Sequence, residues 1–168
     1  PRGNAKPACE TPVTVARTVT GVLSLAPRHG HSTPPAAPAT TASGDVLIAS
    51  VYARLAGSST ITPPSGWTLI RRDSSTSGYS SLTQALYYRV ATSAEPSAYT
   101  WSVGSQASAA GAIMDFKGID TTSPVDSHGG GFTPRSTSFV APSVTTTAKN
   151  DTVVGFFSTN STKTLRAP

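Results

Sequence analysis

The chain has 168 residues, enough for one good-sized domain or for one domain and part of a second. Charged residues are only 12% of it, about half the usual share, and Ser and Thr together supply more than a quarter, which is not the composition of a helical cytosolic enzyme. The net charge of +5 comes from scattered Lys and Arg in a chain poor in acids; only Arg71-Arg72 are adjacent and no basic-aromatic interleaving occurs, so no specific nucleic-acid partner is expected.

Cys9 is the only cysteine, which excludes an intrachain disulfide and a cysteine metal cluster. No run of eighteen apolar residues occurs, so no helical membrane span is expected, and any export signal is expected to lie outside this sequence.

In chain order, residues 1–39 read as a polar tail, one strand over Val13–Val19 and a Pro-rich linker that cannot join a central strand. Val46–Ala53 is a near-continuous apolar run and predicts a buried strand. Pro63-Pro64-Ser65-Gly66 turns the chain into a strand over Trp67–Arg72, and Asp73–Ser80 reads as a turn cluster. Leu82–Val90 alternates, with Leu82, Leu86, Tyr88 and Val90 on the expected core face and Thr83, Ala85, Tyr87 and Arg89 opposite. Tyr99, Trp101 and Val103 share one face of the next strand. Ala109–Lys117, Ser138–Val140 and Thr152–Phe157 complete the set. The expected core includes Leu47, Val51, Leu86, Tyr88, Trp101, Met114 and Phe116. Short strands separated by turn chemistry predict an all-β fold, an antiparallel β-sandwich of immunoglobulin-like or jelly-roll-like type over residues 40–168, with an up-and-down barrel as the alternative.

The chain also begins again near its end. Thr146-Thr147-Ala148-Lys149-Asn150-Asp151-Thr152-Val153-Val154-Gly155 repeats the pattern of Thr40-Thr41-Ala42-Ser43-Gly44-Asp45-Val46-Leu47-Ile48-Ala49, and residues 146–168 as a whole match residues 40–64 in pattern. Thr152–Phe157 therefore needs sheet neighbours. Either it closes the first module as a strand, the favoured expectation, or it leaves an apolar edge around Phe156 and Phe157.

Gly44-Asp45-Val46-Leu47-Ile48-Ala49, Pro63-Pro64-Ser65-Gly66-Trp67-Thr68-Leu69-Ile70, Tyr87-Tyr88-Arg89-Val90-Ala91, Tyr99-Thr100-Trp101 and Phe116-Lys117-Gly118-Ile119-Asp120 with Ser123-Pro124-Val125-Asp126 give the chain a family likeness. Over about residues 40–166 it resembles a repeated β-sandwich module of large exported actinobacterial surface proteins and of related phage tail proteins. That family carries no assigned activity. The resemblance implies a sandwich fold and an extracellular, cell-surface or virion setting.

Candidate chemistry is sparse. His29-Gly30-His31 has metal-like spacing but no third ligand nearby. Ser127-His128-Gly129-Gly130-Gly131 lacks the Gly-x-Ser-x-Gly turn of a nucleophile, and a flexible loop is the better reading. Asp120 and Asp126 are candidates for holding a calcium ion, since carboxylates and loop carbonyls suit it, although Asp is also a turn former and that role is the better reading here. No cofactor is expected. Aromatic rings stack on the apolar faces of sugars, so the ligand-binding candidates are Trp67 after its turn, Tyr79 in a polar cluster, and Tyr52 and Tyr87 on the faces opposite the expected core. The expectation is a secreted, non-enzymatic module for adhesion, carbohydrate binding or structural spacing, with a polysaccharide, a cell-surface glycan, other copies or neighbouring modules as partners. The alternatives are a phage or appendage subunit acting in assembly, or an accessory domain of a polysaccharide-degrading enzyme.

Overall fold

The structure, a computed structural model, describes residues 36–55, 60–77, 80–103, 108–133, 136 and 138–159. Val13–Val19, Cys9, His29, His31, Tyr79 and the end of the repeat after residue 159 lie outside the described residues. Among the described residues there is no helix, and every strand pairing is antiparallel.

Six strands form: β1 (Val46–Leu55), β2 (Ile61–Thr62), β3 (Thr68–Ser77), β4 (Ser80–Val90), β5 (Ser102–Val103) and β6 (Ser108–Phe116). They make a four-stranded sheet in the order β3-β4-β1-β6 and a two-stranded sheet of β2 and β5. β1 is central. It pairs with β4 from Val46↔Val90 to Leu55↔Ser81 and with β6 from Val46↔Phe116 to Arg54↔Ser108. A strand with neighbours on both edges and side chains packed on both faces is mostly apolar, which accounts for its near-continuous run; Ser50, the buried polar exception, accepts a hydrogen bond from Gln84 Nε2 at 3.0 Å.

The turn before β1 is locked from three directions. Gly44 takes a φ of 90°, a conformation open to glycine, and its amide bonds to the Ala91 carbonyl at 2.9 Å. Asp45 Oδ2 accepts the Ala42 amide at 2.7 Å, and Lys117 Nζ, just beyond β6, reaches the same carboxylate at 2.7 Å and the Thr40 carbonyl at 2.9 Å. The chain is already tied in before this turn. Ala36 bridges to Ala98, the Ala37 amide bonds to the Ser97 carbonyl at 3.0 Å, and Ala37 packs against the core.

The core lies on one face of the large sheet. Leu47, Ala49, Val51 and Ala53 of β1 and Ala85 and Tyr87 of β4 meet Ile61, Trp67, Tyr99 and Trp101, all buried. Trp67 sits 5.0 Å from Tyr99, edge to face, and 5.1 Å from Trp101, while Tyr87 is 6.2 Å from Trp101. Such pairs add specific attraction to a large burial of ring area. The Tyr87 hydroxyl donates to the Ile61 carbonyl at 3.1 Å, which ties β4 to the small sheet.

Four expectations need correction. On β4 the face assignment inverts: Thr83, Ala85 and Tyr87 are buried, whereas Leu82, Leu86, Tyr88 and Val90 are only half-buried on the other face. The reason is volume. Alanines at 49, 53 and 85 leave room for four rings, and counting apolar residues misses that. Met114 and Phe116 are likewise half-buried on the opposite face, while Leu47, Val51 and Trp101 are core. Within the turn cluster expected at Asp73–Ser80, Asp73–Ser77 are strand, the end of β3, and Ser80 begins β4: the Ser74 and Thr83 hydroxyls share a 2.9 Å hydrogen bond across the ladder, and Arg71 grips Asp73 through two 2.7 Å bonds. Cross-strand pairing overrides the turn propensity of Ser and Asp there. Finally, Ser138–Val140 and Thr152–Phe157 join no strand, so the favoured closing role of the latter is not what the structure shows.

The second face of the large sheet carries Val46, Ile48, Tyr52, Leu82, Leu86 and Phe116 beneath residues 118–159, with a cleft of about 1230 Å³ between them. Arg71 Nη2 donates to the Gly130 carbonyl at 3.2 Å, a polar tie between this cover and the sheet.

Gly66 offers a sharp test of the turn into β3. Its φ is 84°, and a Cβ there would collide with the Arg89 guanidinium, which also donates to the Ser65 carbonyl at 3.1 Å. Gly66→Ala is expected to cost about 1–3 kcal/mol, the range for a forced backbone conformation. A urea melt with an unchanged midpoint would show that the turn relaxes freely.

Candidate functional site

The aromatic candidates separate by face. Trp67, at the turn into β3, and Tyr87, on the core face of β4, are 7% and 1% exposed, so neither offers a ring face to a sugar. Tyr52, at an even position of β1, does lie opposite the core, half-buried at the cleft, and burial pushes its phenol pKa up. Tyr79 lies outside the described residues. The structure therefore brings Trp67, Tyr87, Tyr99 and Trp101 together as a core, not as a displayed strip. The indole Nε1 atoms of Trp67 and Trp101 and the Tyr99 hydroxyl are buried in that cluster without a hydrogen-bond partner among the described residues.

The carboxylates are occupied by the backbone. Asp120 Oδ1 accepts the Thr122 amide at 2.8 Å, a local turn. Asp126 accepts both the hydroxyl and the amide of Thr147, at 2.5 and 2.6 Å, and these bonds hold its carboxyl below the usual range. Asp126 thus staples two distant parts of the 118–159 cover. Among the described residues no three His, Cys, Asp or Glu side chains gather as a metal-holding group. Ser127 and His128 are exposed on the same cover, with three glycines after them.

Two ionic clusters position the sheet ends. Lys117 bonds Asp45, with Asp115 3.6 Å away; the bond between Lys117 and Asp45 is the leading reason the Asp45 carboxyl lies below, and the Lys117 ammonium above, its ordinary pKa. At the other cluster Arg89, 5.8 Å over the Tyr99 ring, is held by Glu95. Both clusters act on loops and strand ends.

Sequence reasoning did not mark the cleft over the second face. The signal was present in the even positions of β1 and β4: Val46, Ile48 and Tyr52, with Leu82, Leu86 and Tyr88, form a second apolar surface that one core cannot absorb. Exposed large hydrophobics point to the same side of the chain. Among the described residues they are Leu69, Phe132, Phe139, Val140, Val144, Val153 and Phe157, and all but Leu69 fall in residues 132–157.

The fold and surface define an all-β protein with antiparallel sheets, one aromatic core and a second apolar sheet face with a cleft over it. Compared with known proteins, the chain matches no family model, no curated protein and no solved structure.

Proposed function

We propose that the chain is a non-enzymatic β-sandwich module with a structural role, spacing or assembly in a surface protein or an appendage of the phage-tail kind, in an extracellular or virion setting. The observation that carries this reading is how the rings are used. Trp67, Tyr87, Tyr99 and Trp101 are consumed by the core, while the exposed large hydrophobics concentrate in residues 132–157. A sugar-binding module needs the reverse, with rings on the surface; a module that works by packing against protein needs an apolar face and strand-forming segments. The sandwich is the natural completion of such a face, because a sheet with two apolar sides requires a layer on each. Its immunoglobulin-like or jelly-roll-like variant is the architecture the family resemblance implies.

Pull-down on insoluble polysaccharides such as cellulose, chitin and peptidoglycan, beside a panel of ester, peptide and glycoside substrates, tests the reading. The expected result is no saturable retention and no turnover. Saturable retention that disappears in Tyr52→Ala would replace structural spacing by carbohydrate binding. Turnover lost in His128→Ala would make the chain an enzyme.

A further inference from the structure

Three charged side chains meet where β1 begins and β6 ends. The two strands close on the pair Val46↔Phe116, with Asp45 just before the one, Lys117 just after the other and Asp115 opposite Leu47. Lys117 Nζ lies 2.7 Å from Asp45 Oδ2, 2.9 Å from the Thr40 carbonyl oxygen and 3.6 Å from Asp115 Oδ2. Oxygens from the turn at residues 40–45 and from β6, far apart in the chain, thus surround one point.

The cluster carries more negative charge than its lysine answers. The side chains of Asp115 and Asp45 are only 7% and 11% exposed, whereas that of Lys117 is 57% exposed. Asp45 is well supplied, with the Ala42 amide and the ammonium both donating to Oδ2. The Lys117 bond first, and the Ala42 amide behind it, hold its carboxyl below the ordinary range, so it stays ionised. Asp115 is not supplied. Both of its carboxyl oxygens are buried, and neither has a hydrogen-bond partner among the described residues. At 3.6 Å the ammonium is beyond hydrogen-bonding reach of it. A carboxylate taken out of water needs a paired charge or a metal ion, and here two carboxylates face one ammonium.

We propose that Asp45, Asp115 and the Thr40 carbonyl form a calcium site, the ion taking the position that the Lys117 ammonium marks. The donors choose the ion. All are oxygens and two are carboxylates, the set preferred by a hard cation. Calcium accepts irregular geometry and completes its shell with water, while magnesium demands a near-ideal octahedron and dehydrates reluctantly. The ammonium already stands 2.7 and 2.9 Å from two of the oxygens, and calcium draws such ligands to about 2.3–2.6 Å. Its double charge answers both carboxylates, and the exposed stem of Lys117 gives the displaced ammonium a way into water. The bound ion braces the turn at residues 40–45 to the end of β6. The rival occupant is a proton shared between the two carboxyl groups.

This site does not depend on the structural role proposed above, and its test is separate. The full chain, freed of metal with a chelator, is titrated with calcium chloride at constant ionic strength by calorimetry and by amide NMR; magnesium chloride is the control. The expected result is one saturable calcium event with a Kd of about 0.1–1 mM, the range of extracellular calcium modules, and weaker binding of magnesium. Amide shifts in the parent chain should concentrate at residues 40–45 and 115–117, which maps the site without any variant. Asp115→Asn should lose the event, and Lys117→Ala, freed of the competing charge, should bind about tenfold tighter or more. Asp120→Asn, at an exposed turn, should bind as the parent does. Circular dichroism and tryptophan fluorescence check that the variants fold. No saturable event in the parent overturns the proposal and leaves the proton as occupant. Binding by Lys117→Ala alone also overturns it, because the lysine is then the only cation the native site takes. Amide shifts centred elsewhere, or unchanged binding by folded Asp115→Asn, place the ion at another site and overturn the assignment equally.

Discussion

Trp101→Ala is expected to destabilise the chain by about 3–5 kcal/mol, as large aromatic truncations in packed cores do. Trp101 touches the core at its most crowded point: its ring lies 5.1 Å from Trp67, 6.1 Å from Tyr99 and 6.2 Å from Tyr87. Removing it leaves a void bounded by three rigid rings, which can close little of the gap. Tyr88→Ala, one residue from Tyr87 but on the half-buried face, should cost less than half as much. Urea unfolding monitored by circular dichroism checks both. Equal costs for the two variants, or an unchanged Trp101→Ala, would mean that the core lies on the other face of β4.

That contrast also locates what the sequence showed and what it hid. The strands β1, β4 and β6 were legible because long apolar or alternating runs bounded by Gly, Pro and Ser have few other solutions. The aromatic face Tyr99-Trp101-Val103 was legible from its period of two. The inward face of β4 was not, because Leu82, Leu86, Tyr88 and Val90 outnumber the apolar residues opposite them. The alternation gives two apolar faces, and choosing between them depends on partners far along the chain: Ile61, which accepts the Tyr87 hydroxyl at its carbonyl, and the alanines that admit the rings. The strand over Asp73–Ser77 was hidden for a related reason. Its Ser and Asp residues favour turns locally and are held extended only by the ladder to β4.

The candidate site divides in the same way. A ring's residue type says that it can stack on a sugar, but only the fold says whether its face is free, and for Trp67 and Tyr87 it is not. Tyr52 was placed on the correct face because β1 alternates around a well-determined Leu47 and Val51. The environment of Thr152–Phe157 was half legible. The repeat announced a strand in need of neighbours, while the left-handed residue before Asp151 and the absence of a ladder among the described residues there are properties of the backbone. Local sequence can specify that a strand is launched; it cannot specify where the pairing edge comes from.

Glu95→Gln is the second substitution with a large expected effect, about 2–3 kcal/mol at neutral pH, the range for losing hydrogen bonds to a largely buried charged group. The Glu95 side chain is 7% exposed and that of Arg89 17%. One carboxylate binds Arg89 Nε and Nη2 at 3.1 and 3.0 Å and the Thr92 amide and hydroxyl at 2.7 and 3.0 Å. Neutralising it leaves the guanidinium poorly compensated where it also supports the Ser65 carbonyl and the Tyr99 ring, and so disturbs the turn into β3 and the edge of the core together. The pH dependence gives an independent readout. Burial alone would raise the Glu95 pKa, but the Thr92 amide, Arg89 and the Thr92 hydroxyl together hold it below its ordinary value of 4.5. A carboxyl whose folded pKa is depressed contributes stability above its unfolded pKa and loses it as pH falls through the folded one. The parent chain should therefore weaken as the pH drops below about 4.5, and Glu95→Gln should weaken less steeply over the same window because it has no such proton to take up. Parallel stability curves for parent and variant through that window would show that Glu95 titrates alike in the folded and unfolded chains and that the Arg89 cluster does not depend on its charge.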